Sequence, residues 1–165
     1  MSTPQKQREI VRKKQAKMHK AQRKYDTQSN VVNARVTEIR ALCLQKEELM
    51  REAATINHPY EVSLATIERH EQRLAESGRP GGNGEFEKNA RKGLEMEKKK
   101  CEEAEDRIKA RIKAVAKNIE KAQRSEQKAR EKLDELHDKL VEAKTQVRAE
   151  QGRWLRSVER HQRLG

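Results

Sequence analysis

The sequence predicts an all-α protein, one long antiparallel two-helix coiled-coil hairpin, and three observations predict it. Of the 165 residues 40% are Asp, Glu, Lys or Arg and only 33% are apolar. That is too little for a compact core of this size, and it leaves either disorder or long helices that bury a narrow stripe. Apolar residues recur at coiled-coil spacing through both halves of the chain, a register that a disordered chain would not sustain. Glu76 to Gly84 then gathers four of the seven glycines and one of the three prolines, the signal of a single turn.

The first arm is expected over about residues 4–76. Ser2, Thr3 and Pro4 suit a helix start, with a hydroxyl to cap the free amides and proline in the first turn. Every seventh residue from Val11 gives Val11, Met18, Tyr25, Val32, Ile39, Lys46, Ala53, Tyr60, Ile67 and Leu74, of which nine are apolar or aromatic. Ala21, Leu42, Leu49 and Ile56 supply the companion line. Lys14, Gln28 and Arg35 stand in polar contrast at the amino end, so the seam is expected to be thin there and full in the middle of the arm. Asn57-His58-Pro59 predicts a kink or a short break, because proline cannot donate a backbone hydrogen bond and crowds the preceding turn.

The turn is expected over residues 77–84 and the second arm over about 85–164. Asn83 is placed to cap it, with Glu85 and Glu87 at the positive end of the helix dipole. Its seam steps by threes and fours through Cys101, Ala104, Ile108, Ile112, Val115, Ile119, Ala122, Glu126, Ala129, Leu133, Leu136, Leu140, Ala143 and Val147, then Trp154, Val158 and His161. Two arms of like length and one short turn make the chain its own partner, a single domain over residues 1–165. A turn centred on Pro80 to Gly82 pairs Leu42 with Ile119 or Ala122, and Leu49 with Ile112 or Val115. It also sets Cys101 opposite residue 61 and Trp154 opposite Arg8 to Val11, and it keeps Cys43 and Cys101 apart. Each arm would run roughly 100 to 120 Å at the helical rise.

Charge placement is the main functional signal. Residues 1–24 carry nine Lys or Arg and one Glu, and residues 144–165 carry six against two, so these two segments account for the whole formal charge of +12. A hairpin brings both to one end and predicts a neutral shaft with a basic tip. Arg12, Lys13, Lys17, Lys20, Arg153, Arg156 and Arg160 are the candidate partner-binding cations, with Trp154 among them. The bland alternative is a solvated Lys/Glu surface in which Arg156, Arg160 and Arg163 merely complement their own helix dipole, and Trp154 clamps the chain ends.

Other chemistry is not indicated. The sequence has no HExxH, phosphate-cradling loop, EF-hand loop or nucleophile elbow, and its five histidines are scattered, so a non-catalytic protein without cofactor or metal is expected. The two cysteines lack metal-ligand spacing and fit a reducing compartment. No apolar run suits a membrane span and no charged-then-apolar leader is seen, so a cytoplasmic protein, at most peripheral to a membrane through a partner, is expected. The pI near 9.8 is what a nucleic-acid footprint looks like, but four aromatics (Tyr25, Tyr60, Phe86, Trp154) build no stacking platform.

As an architecture, the capped first arm, the interruption at Pro59, the turn past Ser77, the long second arm and the Arg12-Lys13-Lys14 start together resemble the central-stalk family of type III secretion and flagellar export ATPases. The resemblance covers the whole chain and carries no diagnostic motif. It implies a cytoplasmic accessory subunit that docks on a hexameric export ATPase, like the rotor of a rotary ATPase, and that also meets export-gate or chaperone proteins. Two other classes are open from the sequence. One is a general scaffold or adaptor coiled coil, monomeric or weakly dimeric through Val31, Val36, Leu44 and Leu64; the other is a basic-tip binder of nucleic acid or anionic membrane.

Overall fold

The computed structural model describes residues 3–78 and 84–165, and among them the chain is all-helical, with order α1 (Pro4–Thr55), α2 (His58–Glu76) and α3 (Glu85–Leu164). α1 and α2 form the first arm of the predicted hairpin and α3 the second. Ser2, Asn83 and the predicted turn centre at Pro80 to Gly82 lie outside the described residues.

Local chemistry accounts for the helix ends. Thr3 opens α1: its carbonyl accepts the Gln7 amide at 3.0 Å and its hydroxyl the Lys6 amide at 3.4 Å, while Pro4 takes the first helical position, where no amide is needed. α1 stops at Thr55, four residues before Pro59. Pro59 has no N–H to give the Thr55 carbonyl and its ring would collide with it, so α1 ends there and α2 restarts with Pro59 in its first turn. The interruption is confined to Ile56 and Asn57, and the Asn57 carbonyl already accepts the Glu61 amide at 2.9 Å. α2 closes with Gly78 at φ +72°, a left-handed conformation that glycine adopts without strain, while the Ser77 and Gly78 amides return to the carbonyls of Arg73 and Ala75. α3 starts behind Gly84, whose carbonyl accepts the Lys88 amide at 3.1 Å, with Glu85 and Glu87 in the first turn.

The chain divides into two compact units: Met1–Ile39 with Lys121–Gly165, and Arg40–Glu120. In the first, the terminal unit, α1 runs antiparallel to the end of α3: Gln7 Nε2 donates to Glu150 Oε2 at 2.6 Å, Lys14 Nζ to Gln146 Oε1 at 3.3 Å, and Gln28 Nε2 to the Ala129 carbonyl at 3.0 Å. In the second, the turn unit, the rest of α1 and all of α2 run antiparallel to the start of α3. There Cys101 Sγ donates to the Ile56 carbonyl at 3.5 Å and Arg91 to Glu71 at 2.6 Å.

The buried line of the terminal unit is Gln7, Val11, Gln28 and Val32 from α1 with Ala122, Ala129, Leu140 and Val147 from α3. That of the turn unit is Leu49 with Cys101, Ile108 and Val115, and α2 contributes no buried residue. Of the other seam residues, Ile39, Leu42, Ile56, Ile112, Ile119, Leu133 and Leu136 are half-buried. Along α3 the buried residues step by seven from Cys101 to Ala129, then by eleven to Leu140, then by seven to Val147. Seven residues fall short of two whole helical turns' rotation and eleven overshoot three, so the longer step turns the buried face back toward the partner helix.

Two sequence expectations need correcting. The amino end does not have the thin seam: its polar companion Gln28 is buried and bonded across the pair, and the thin region is α2. Cys101 bonds the Ile56 carbonyl instead of facing residue 61, a local offset of a little over one turn from the pairing expected of the loop midpoint. Other contacts match the predicted pairing directly: the rings of Tyr25 and His137 lie 5.8 Å apart, and Arg91 reaches Glu71.

Candidate functional site

The terminal unit holds 22 Lys and Arg against 11 Asp and Glu, a net of +11, whereas the turn unit holds 17 against 16, a net of +1. Nearly all of the protein's formal charge thus resides in the unit that contains both ends of the chain. Within it the register fixes where each cation stands.

Gln7 is the anchor of the site. Its amide nitrogen reaches Glu150 Oε2, while Glu150 Oε1 takes Arg153 Nη1 at 2.6 Å. Glu150 keeps only 13% of its side chain in solvent, so one carboxylate is shared between an inter-helix bond and a cation on its own helix. With Gln7 against Glu150, the residues about one to four turns further along α3 run past the start of α1. There Arg153, Arg156, Ser157, Arg160, His161 and Leu164 line one groove with Thr3, Pro4 and Gln7. Arg153, Arg156 and Arg160 step by three and four residues, which keeps them on one side of the helix. Arg153 is paired with Glu150, but Arg156 and Arg160 have no carboxylate partner among the described residues.

Trp154 is half-buried, and the Gln7–Glu150 contact sets it level with the first residues of α1, about a turn beyond the Arg8 to Val11 pairing that the loop midpoint predicts. The remaining candidates separate. Arg12, Lys13 and Lys17 are exposed on α1 and do not line the arginine groove, and Lys20 belongs to a second groove nearer the middle of the unit. The structure therefore brings Arg153, Arg156 and Arg160 together with the α1 start, and leaves the α1 cations as a separate surface.

The residues that organise the site, Gln7, Gln28 and Glu150, are not among the sequence candidates. Their signal was present, since Gln7 and Gln28 fall in the same heptad position as Leu42 and Leu49. A polar residue there bonds across the seam when a small neighbour admits it. Ala129 supplies that room, and its carbonyl accepts Gln28 through a lone pair the helix ladder does not need.

Elsewhere, Cys43 is exposed and Cys101 is buried, and both are free thiols. No group of three or more His, Cys, Asp or Glu side chains is gathered to hold a metal among the described residues, and no described helix is long and apolar enough to cross a membrane. Fold and charge define this chain as a helical hairpin with a basic terminal unit. Comparison with protein-family models, curated proteins and solved structures finds no match to it.

Proposed function

We propose that the protein is a non-catalytic coiled-coil module that binds an acidic protein partner through its terminal unit. The observation that carries the reading is the convergence of Arg153, Arg156 and Arg160 with the start of α1 on one groove, in a unit of net charge +11. Arginine suits this task because its planar fork of donors engages carboxylates in pairs and gives up little hydration on docking. Opposite charge steers the encounter, and contacts beside Leu164 and the stems of the arginines then govern how long the partner stays.

The architectural resemblance to export-ATPase stalks gives this reading its most specific form. In that form the module is a cytoplasmic accessory subunit, the partner is a hexameric export ATPase, and export-gate or chaperone proteins meet the same hairpin. Supporting it are the two-helix plan, the interruption ahead of Pro59 and the basic chain ends.

The test measures association with the candidate ATPase from the same source by biolayer interferometry, for the wild type and for Arg156→Glu/Arg160→Glu. The expected result is slower association, faster dissociation and a steep loss of binding with added salt, with helicity little changed. A pull-down from the source extract with both versions, repeated after nuclease treatment, widens the search. Recovery of the same proteins by both versions contradicts the arginine groove as the docking site, and loss of signal only after nuclease points to nucleic acid instead.

A further inference from the structure

We propose that a second groove of the terminal unit, separate from the arginine groove, binds an acidic amphipathic helix as the third strand of a three-helix bundle. Lys20, Arg23, Lys24, Thr27 and Gln28 of α1 line it with Lys132 and Leu136 of α3. It stands on its own residues and does not depend on whether the arginine groove binds anything.

Three observations converge on that occupant. The first is the rim: four cations come from both helices, no carboxylate lines the groove, and none of the four stands within 4.0 Å of one among the described residues. The nearby Asp26 accepts Gln22 Nε2 at 3.0 Å. The second is the floor. The Thr27 hydroxyl donates to the Arg23 carbonyl at 2.9 Å and the Gln28 amide to Ala129, so the polar donors there are already engaged and Leu136 supplies the hydrocarbon. The third is the shape, a concave channel between two helices running from Gln28 to Lys20, about 12 Å or two turns at the helical rise.

A helix bearing an apolar ridge flanked by Glu or Asp matches all three, since its ridge covers Leu136 while its carboxylates reach Lys20, Lys24 and Lys132. Phosphates of a nucleic acid would meet the cations but bring nothing apolar to the floor. A lipid surface needs a convex apolar face, and this one is recessed.

The probe is a fluorescent synthetic helix of about 18 residues with leucines at heptad spacing flanked by glutamates, titrated by anisotropy against the full chain. A scrambled peptide of identical composition is the control for charge alone. The expected result is binding of the patterned peptide and not of the scrambled one, weakened about tenfold or more by Lys20→Glu/Lys24→Glu/Lys132→Glu. Binding should return when the peptide glutamates are replaced by lysines against that variant, and it should be unchanged by Arg156→Glu/Arg160→Glu. If the triple variant loses helicity, Lys20→Met/Lys24→Met keeps the stems, removes two charges and should weaken binding in the same direction. Equal binding of the scrambled peptide, equal loss with the arginine variant, or displacement by a short DNA duplex or phosphatidylserine vesicles with the same lysine dependence would overturn the proposal.

Discussion

The terminal unit and the turn unit are built from the same antiparallel helix pair, yet they close it in different ways. The terminal unit buries residues at both heptad positions of α1 and locks its register with Gln7 on Glu150 and Gln28 on the Ala129 carbonyl. Away from Leu49 and its α3 neighbours, the turn unit relies on half-buried aliphatics and on surface pairs such as Arg91 with Glu71, and α2 buries nothing fully. Leucine and isoleucine slide past one another at modest cost, whereas a buried amide has one good partner. The unit with more polar side chains in its seam is therefore the better specified one. It also carries the two basic grooves described above, which need both helices held at a fixed offset.

The largest expected effect that separates the two units is a buried charge. Leu140 retains only 3% exposure, so Leu140→Asp should cost several kcal/mol by thermal or urea unfolding, since it places an unpaired carboxylate in the seam. Leu74→Asp, at a half-buried site in α2, should cost far less. Equal losses would erase the distinction. Gln28→Ala comes next, at about 1–3 kcal/mol, because it removes the bond to Ala129 and opens a hole. Gln28→Leu should be nearly neutral in stability while broadening the NMR resonances of residues facing it, as the register becomes less defined.

Hydrogen exchange sharpens the comparison region by region. Amides of α2 should exchange fastest among the helix interiors, and those around Gln28 to Val32 and Leu140 to Val147 slowest. Slow exchange throughout α2 would mean that another chain covers it. A smaller gain is expected from Gly93→Ala: nothing lies within 4 Å of the added methyl, so it should stabilise α3 by roughly 0.5–1 kcal/mol through helix propensity alone.

The smallest effect concerns Lys109, which sits 3.0 Å from Glu105 on the exposed face of α3. The hydrogen bond to Glu105, and then its charge, raise the Lys109 ammonium above its ordinary pKa. A raised pKa contributes stability that is present below the unfolded-state value and disappears as pH rises through the folded-state value. That contribution is present at neutral pH but solvent screens the exposed pair, so Lys109→Gln should leave melting there within error.

Much of this was legible in the sequence. The two arms, the break ahead of Pro59 and the Thr3-Pro4 start follow from heptad spacing, the missing proline amide and the capping hydroxyl, which are local rules. The register was less legible, because placing Cys101 against Ile56 depends on how side chains interlock across the pair. The site was legible in charge and not in geometry. Counting cations located the basic end, but Arg12, Lys13 and Lys17 could not be told from Arg153, Arg156 and Arg160 until the helices were paired. The glutamines that do the pairing look like weak points in a heptad string, and they become bonds only where the opposite residue offers an acceptor, the carboxylate of Glu150 for Gln7 and the carbonyl beside the small Ala129 side chain for Gln28.

That the terminal unit is held in one intramolecular register is tested most directly by cysteine cross-linking with a short bis-maleimide in a Cys43→Ser/Cys101→Ala background. Gln7→Cys/Glu150→Cys should be joined into a cross-linked single chain by a short linker, because the ends of the native side chains meet across the pair, whereas Val11→Cys/Trp154→Cys, a pairing displaced by about two turns, should react poorly. Cross-linking of the second pair in place of the first, or a first pair that links only between two chains, would contradict the account.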